Sequence, residues 1–287
     1  MPWEDLFVSF RPKQWIKNLF VLAALIFAQK FLDKQAVGLS FLALVAFCLV
    51  SSSVYLINDV VDIEKDKLHP FKKYRPIARG TLSKTVAIWV AVILLIISIF
   101  VSFKLGAWFL IILIFYWLLN LFYSFYLKNL VILDVITVAL GFVLRVIAGA
   151  VAIQVVFSSW LLLCTFFLTL FLALGKRKNE LLNVSGNATR GVLADYSLDL
   201  LNQMTAVVVP SALLAYALYT FNSQHSQWLM LTVPVVLFGL FRYLYIIDKK
   251  NNSNNGPADD LLLDRPLQFT VLVWVVMVVI IFIKFNY

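Results

Sequence analysis

Val37–Asp66 reads VGLSFLALVAFCLVSSSVYLINDVVDIEKD. Its first part, Val37–Val61, is apolar for longer than the roughly 20 residues a helix needs to cross a bilayer. Charge gathers only as that run ends. The same reading along the chain gives about nine runs: Gln14–Ala28, Val37–Val61, Val86–Phe103, Ala107–Tyr126, Leu130–Val156, Trp160–Gly175, Met204–Phe221, Trp228–Ile247 and Leu267–Phe285. The first and sixth are short and are expected to extend by snorkelling of Lys13, Lys17 and Lys176. Composition agrees: 62% of the 287 residues are hydrophobic and 14% charged, against about 45–50% apolar in soluble domains. The chain therefore reads as an all-α polytopic membrane protein forming one transmembrane domain, 1–287. Pro210 and Pro234 fall inside spans, where kinks are tolerated, and Lys249–Pro257 is the one linker-like stretch.

A net charge of +9 would suit nucleic acid, but basic residues also collect in cytoplasmic loops, and the distribution favours the bilayer. With the N-terminus inside, nineteen Lys and Arg fall in inner segments or toward the inner ends of runs, Lys17 and Arg242 among the latter, and four, Lys30, Lys34, Lys104 and Lys284, in outer segments or at an outer end. The expected location is a bacterial-type plasma membrane, with a cytoplasmic N-terminus and the C-terminus outside. Cys48 and Cys164 lie in separate apolar runs and suggest neither a disulfide nor a zinc site. Met1–Arg11 lacks the apolar core of a signal peptide and is expected to lie along the interface.

Asn58, Asp62 and Asp66 follow i, i+4, i+8, one stripe of a helix, with Asp59 beside them. Such a stripe repels itself unless a cation joins it, and Mg²⁺ prefers oxygen ligands and keeps waters that a diphosphate can replace. A solvated helix end is the competing reading. Next comes a basic loop with Lys72, Lys73, Arg75 and Arg79, suited to phosphate oxygens or to topology alone. His69 reads as a loop residue rather than a base. Tyr123, Tyr126 and Lys128 sit at the end of the fourth run, where aromatics usually anchor the interface. Arg145 lies deep in an apolar run, at a cost of about 2.5–3.5 kcal/mol if unpaired. It shares a face with Asp134 and Gly141, with Gly149 nearby, and reads either as half of a buried ion pair or as an anion-binding residue. Lys176, Arg177 and Glu180 close the sixth run, with Lys176 and Glu180 on one face. Asp264 is expected to cap the last span ahead of Pro266. A substrate role for Arg265 is the weakest of these readings.

Asn58-Asp59-x-x-Asp62-x-x-x-Asp66, the basic loop and Tyr123-Ser124-x-x-x-Lys128 together resemble the UbiA superfamily of intramembrane prenyltransferases, over essentially the whole chain. That resemblance implies a helical ring around a central cavity, Mg²⁺-dependent diphosphate binding at its cytoplasmic mouth, and a lateral opening for lipid. The metal set would be Asn58, Asp59, Asp62 and Asp66. The chain departs from the aromatic prenyltransferases after the sixth run, where Lys176-Arg177-x-x-Glu180 stands in place of a second Asp-rich motif. In this it is similar to the decaprenyl-phosphate phosphoribosyltransferase branch, as it is in Arg11-Pro12-Lys13-Gln14-Trp15, Leu144-Arg145-x-x-Ala148-Gly149 and Leu263-x-Arg265-Pro266-Leu267.

The branch implies transfer of phosphoribose from phosphoribosyl diphosphate to a polyprenyl phosphate. Asp62, Asp66, Lys128 and Arg145 would be catalytic. Lys17, Lys72, Lys73, Arg75, Tyr123, Lys128, Arg145, Lys176, Arg177, Glu180 and Arg265 would bind substrate. A phosphate monoester is already anionic near neutrality, so no strong general base is needed, in keeping with two histidines in the chain. Two alternatives stay open: a prenyltransferase using prenyl diphosphate, and a lipid-phosphate transporter, which needs no metal stripe. A nucleic-acid partner is not expected, and a homo-oligomer is compatible with the sequence.

Overall fold

Helix α1 (Pro2–Ser9) runs into Arg11, whose left-handed backbone (φ 55°, ψ 60°) turns the chain into Pro12. In this computed structural model, which describes residues 2–183, 191–222, 227–249 and 263–284, the next segment is not the expected α-helix. Pro12–Leu22 is a 3-10 helix and only Ala23–Phe27 is α-helical (α2). A 3-10 helix rises about 2.0 Å per residue and an α-helix about 1.5 Å, so Pro12–Phe27 reaches about 30 Å, the depth of a bilayer's hydrocarbon core. Stretching the coil lets a run too short for a spanning α-helix cover that distance. Three residues per turn also line up Trp15, Asn18 and Val21 on one edge.

Asp33 caps helix α3 (Lys34–Val61), accepting from the Gln35 and Ala36 amides at 2.9 and 3.3 Å. The helix breaks at Asp62 and resumes as α4 (Ile63–Leu68). Across the break, the Asp62 amide donates to the Asn58 carbonyl and the Asp66 amide to the Asp62 carbonyl, at 2.9 and 2.8 Å. The acidic stripe therefore keeps its helical spacing. The basic loop that follows is anchored rather than loose. Pro76 opens the single turn α5 (Pro76–Arg79), Gly80 closes it at φ 85°, and Ile77 and Leu82 are buried against Leu56, Ala87 and Ala91. Pro at the first helical position and a left-handed Gly at the end are the residues such a turn calls for.

Helices α6 (Lys84–Phe103), α7 (Ala107–Phe125) and α8 (Leu133–Ala152) follow, with a short 3-10 turn at Leu127–Asn129 between the last two. Helix α3 packs on α6, α7 and the first 3-10 segment, around Val21, Phe47, Phe109, Leu113 and Tyr116. Trp89, Ile93 and Phe100 of α6 point outward, as side chains solvated by lipid do. Val21 also explains Gly149. A Cβ at that position would lie 1.9 Å from the Val21 carbonyl oxygen, so only a glycine admits the 3-10 backbone there.

These elements, residues 2–137 and 141–156, form one compact unit. A second comprises residues 138–140, 157–183, 191–222, 227–249 and 263–284. In it α9 (Ser159–Asn183) packs on α10 (Leu198–Phe221), and α11 (Val233–Lys249) on α12 (Arg265–Lys284). A buried Tyr216 hydroxyl accepts from Trp274 Nε1 at 2.8 Å and bonds Thr232 Oγ1 at 2.6 Å. Helix α9 does not stop at Gly175. It carries Lys176, Arg177 and Glu180 as helical residues, so the sixth span is long in its own right.

Among the described residues eight helices are long and apolar enough to cross a membrane: α3, α6 to α10, α12, and α11 extended back to Trp228. The remaining run of the sequence, Gln14–Ala28, is the Pro12–Phe27 segment. The chain is an integral membrane protein of all-α architecture. Most of the Lys249–Pro257 linker, with Asp259 and Asp260, lies outside the described residues.

Candidate active site

In the first unit, three carboxylates meet three cations from distant parts of the chain. Asp59, in the last turn of α3, accepts from Arg11 and from Arg75 Nη1 at 3.1 Å. The same Arg75 nitrogen reaches Asp66 Oδ2 at 2.6 Å. Asp62 Oδ1 takes Lys128 Nζ at 2.5 Å. Asp59, Asp66 and Lys128 are all buried. Charges so placed persist because each is paired, since removing one partner from a buried pair costs about 3–5 kcal/mol. Burial pushes the Arg75 guanidinium below its ordinary pKa and nearby Arg11 adds to this, while Asp59 and Asp66 oppose it. Arg11 also lies over the Tyr55 ring, 5.1 Å from its centroid.

Arg145 is treated differently. It is 5% exposed, and its nitrogens donate to Asn18 Oδ1 (2.9 Å), the Gly141 carbonyl (2.9 Å) and the Tyr116 hydroxyl (2.6 Å). Its guanidinium carbon stands 4.7 Å from the Tyr116 ring centroid and 5.0 Å from that of Phe142. Among the described residues no carboxylate pairs with it. The ion-pair reading of Arg145 is therefore not what forms. A buried cation held by neutral acceptors retains its attraction for an anion.

The 3-10 segment ties these groups together. Arg11 binds Asp59, Trp15 Nε1 donates to Ser52 Oγ at 3.1 Å, and Asn18 Nδ2 donates to Ser51 Oγ at 3.1 Å while its oxygen holds Arg145. Three-residue spacing turns Trp15 and Asn18 to the same helix, α3, so one element sets both the carboxylates and Arg145.

The other residues singled out in the sequence are placed less centrally. Lys17, Lys72 and Tyr123 are half-buried and Lys73 is exposed, its ammonium 5.2 Å from the Tyr74 ring centroid. His69 sits in the loop, its Nδ1 accepting from the Phe71 amide at 3.2 Å. In the second unit Arg177, 3% exposed, pairs with Glu180, which Lys176 approaches at 3.8 Å. Arg265 is exposed at the start of α12. Asp264 caps that helix through the Leu267 amide at 2.9 Å, as expected, and also takes a two-pronged contact from Arg242 at 3.1 and 2.8 Å. Arg11, Asn18, Tyr116 and Arg242 were not anticipated in these roles. The available signal was the presence of polar residues, Asn18 and Tyr116, inside apolar runs.

The oxygen-only donor set of Asn58, Asp62 and Asp66 suits a hard cation. Lys128 and Arg75 engage one oxygen of Asp62 and one of Asp66, and among the described residues nothing bonds the other oxygen of either. Asp59 fits less well, being enclosed by two guanidinium groups. No cluster of three His, Cys, Asp or Glu with metal-holding geometry occurs among the described residues, so the fit rests on Asn58 completing the two carboxylates.

The sequence profile of the UbiA prenyltransferase family matches residues 18–259. The chain belongs to that family. It is 36% identical to a decaprenyl-phosphate phosphoribosyltransferase of Mycolicibacterium smegmatis, over 95% of this chain and 90% of that one. It is 33% identical to the protein so named in Mycobacterium tuberculosis, over 93% and 90%. In fold it matches a UbiA homologue from Archaeoglobus fulgidus bound to DMAPP and Mg²⁺, with a TM-score of 0.74, 16% identity, and 98% of this chain and 99% of that one covered. UbiA membership accounts for the all-helical membrane architecture.

Proposed function

We propose that this UbiA-family protein transfers 5-phosphoribose from phosphoribosyl diphosphate to a polyprenyl phosphate of the decaprenyl type, releasing diphosphate. The observation that carries the reading is Arg145 of the first unit, 5% exposed, held by neutral partners alone and tied through Asn18 to the segment whose Arg11 grips Asp59. Such a site suits substrates with many phosphate oxygens: a diphosphate, a 5-phosphate and a lipid phosphate. The phosphoribosyltransferases at 33–36% identity support the same assignment.

Mg²⁺ would be held by Asn58, Asp62 and Asp66, with Asp59 behind them, and would neutralise the leaving diphosphate when bound. Lys72, Lys73, Arg75 and Lys128 would bind and orient the donor's phosphates. Arg145, with Lys17 and Tyr123, would hold a second phosphate, and Lys176, Arg177, Glu180 and Arg265 of the second unit are proposed as further substrate-binding residues. A lipid phosphate oxygen forms the new bond to the ribose anomeric carbon as the bond to diphosphate breaks. No side chain need remove a proton, so catalysis is positioning and electrostatic stabilisation. We read both units as one transmembrane domain, supported by a family match that runs through both, with the N-terminus and the site's mouth cytoplasmic.

The test is incubation of the purified protein with labelled phosphoribosyl diphosphate and a polyprenyl phosphate, followed by lipid extraction. Label should enter the lipid fraction only with both substrates and Mg²⁺. Prenylation of an aromatic acid from prenyl diphosphate, with phosphoribosyl diphosphate ignored, would overturn the proposal.

A further inference from the structure

The second unit contains a cavity that the phosphoribosyl chemistry does not use. Gly175 and Lys178 of α9, one face of α10 running from Asn202 through Thr205, Ala206 and Val209 to Pro210, and Leu244 and Ile247 of α11 line a recess of about 350 Å³. Asn202, Ala206 and Pro210 recur every four residues, so they form one stripe of α10, and all three are exposed. The recess therefore opens sideways. Gly175 keeps it close-walled, since a Cβ there would meet Ile247 Cδ1 at 2.5 Å.

Its lining changes character along its length. Lys178, Asn202 and Thr205 make one end polar, while Val209, Pro210, Leu244 and Ile247 make the other apolar. Asn202 and Pro210 are about 12 Å apart along the helix. Between them lies an unusual acceptor. Pro210 has no N–H to give the carbonyl four residues back, so the Ala206 carbonyl lacks its helical donor. The Thr205 hydroxyl cannot supply a hydrogen bond, because it donates to the Leu201 carbonyl at 2.7 Å. Lys178 is held loosely, 3.6 Å from an Asp248 carboxylate that is 81% exposed.

From this arrangement we infer that the recess binds an anionic glycerophospholipid, its phosphate on Lys178, a headgroup hydroxyl on the Ala206 carbonyl, and an acyl chain along Val209, Leu244 and Ile247. A hydrocarbon surface with one cation at its rim complements an amphiphile with one negative charge. The orphaned carbonyl selects for a lipid carrying a hydroxyl. A polyprenyl chain has no donor beyond its phosphate and would leave that carbonyl bare.

Native mass spectrometry of the purified full chain in micelles tests the idea, with phosphatidylglycerol and phosphatidylcholine of matched acyl chains as probes. Phosphatidylglycerol should be retained about tenfold better, the effect of one charge-assisted hydrogen bond. Lys178→Gln should remove most of that preference, leaving only what the headgroup hydroxyl adds at the Ala206 carbonyl, and Lys178→Arg should keep it in full. Ala206→Phe, which fills the recess, should lower retention of both lipids. Lys104→Gln, just past the end of α6, should change nothing. Equal retention of the two lipids, or an undiminished preference in Lys178→Gln, overturns the inference. So does displacement of phosphatidylglycerol by inorganic phosphate or by an equimolar polyprenyl phosphate, which would make the recess an anion site or an acceptor path. If Ala206→Phe fails to fold, the Gln and Arg variants still decide.

Discussion

Arg75 Nη1 lies 2.6 Å from Asp66 Oδ2, so a carboxylate proposed to hold Mg²⁺ is already neutralised by a guanidinium. Metal and arginine compete for it. Arg75→Gln should therefore lower the Mg²⁺ concentration for half-maximal activity by about tenfold, the worth of one charge-assisted contact. Maximal turnover should fall at the same time, because a proposed donor to substrate phosphate is gone. An unchanged Mg²⁺ requirement in a titration of the variant would separate Asp66 from the metal.

Asp62 has two proposed tasks, holding Mg²⁺ and neutralising Lys128 at 2.5 Å. Asp62→Ala alone should abolish activity and also destabilise the protein, by up to about 3–5 kcal/mol, because Lys128 is left buried and unpaired. Asp62→Ala combined with Lys128→Met should recover the thermal midpoint in detergent and remain inactive. Activity regained in the double variant would assign Asp62 a purely structural role.

Tyr116→Phe keeps the ring beneath Arg145 but deletes the acceptor of Nη2. We expect a loss of about 1–3 kcal/mol in stability, with a raised KM for one of the phosphate substrates. Arg145→Lys should do worse, losing at least about tenfold in kcat/KM, since a point charge cannot span Asn18, Gly141 and Tyr116 together. A lysine variant with native kinetics would remove Arg145 from the site.

Much of this arrangement was legible beforehand, and the misses share a cause. Long apolar runs located the spans because hydropathy responds to lipid directly, and the i, i+4, i+8 carboxylates survived as a stripe across the break at Asp62. Composition cannot separate a 3-10 coil from an α-helix, so Pro12–Leu22 read as an ordinary short span. The sixth apolar run stops at Gly175 because charge ends it, whereas the helix itself continues to Asn183, so hydropathy alone understates the span. Arg11 with Asp59 and Lys128 with Asp62 are pairs 48 and 66 residues apart. No local periodicity encodes such partners. Asn18 and Tyr116 went unassigned because neutral acceptors for a buried arginine leave no charge signature.

Gly149→Ala should be among the most damaging single-methyl changes. The added carbon meets a backbone carbonyl at 1.9 Å, which cannot rotate away as a side chain would. Overpacking of this kind costs about 1–3 kcal/mol or more. Gly38→Ala, where nothing lies within 4 Å, is the matched control and should shift the detergent melting midpoint little.

The charge distribution predicts topology independently of chemistry. Cysteine-accessibility labelling at Lys72 or Lys178 should report the cytoplasmic side, and a reporter after Tyr287 the opposite one. A cytoplasmic C-terminus would mean that Pro12–Phe27 does not cross.

The stretched opening segment also bears on the order in which the molecule assembles. A long 3-10 coil has poorer hydrogen bonds than an α-helix, and lipid offers no substitute partners for its backbone or for Trp15 and Asn18. Those partners arrive with Ser51 and Ser52 of α3, and later with Arg145 and Gly149 of α8. A segment that precedes α3 and α8 in the chain is thus one of the last able to settle. Until α8 is in place, Asn18 has no Arg145 to hold, and the proposed phosphate site exists only as separate pieces.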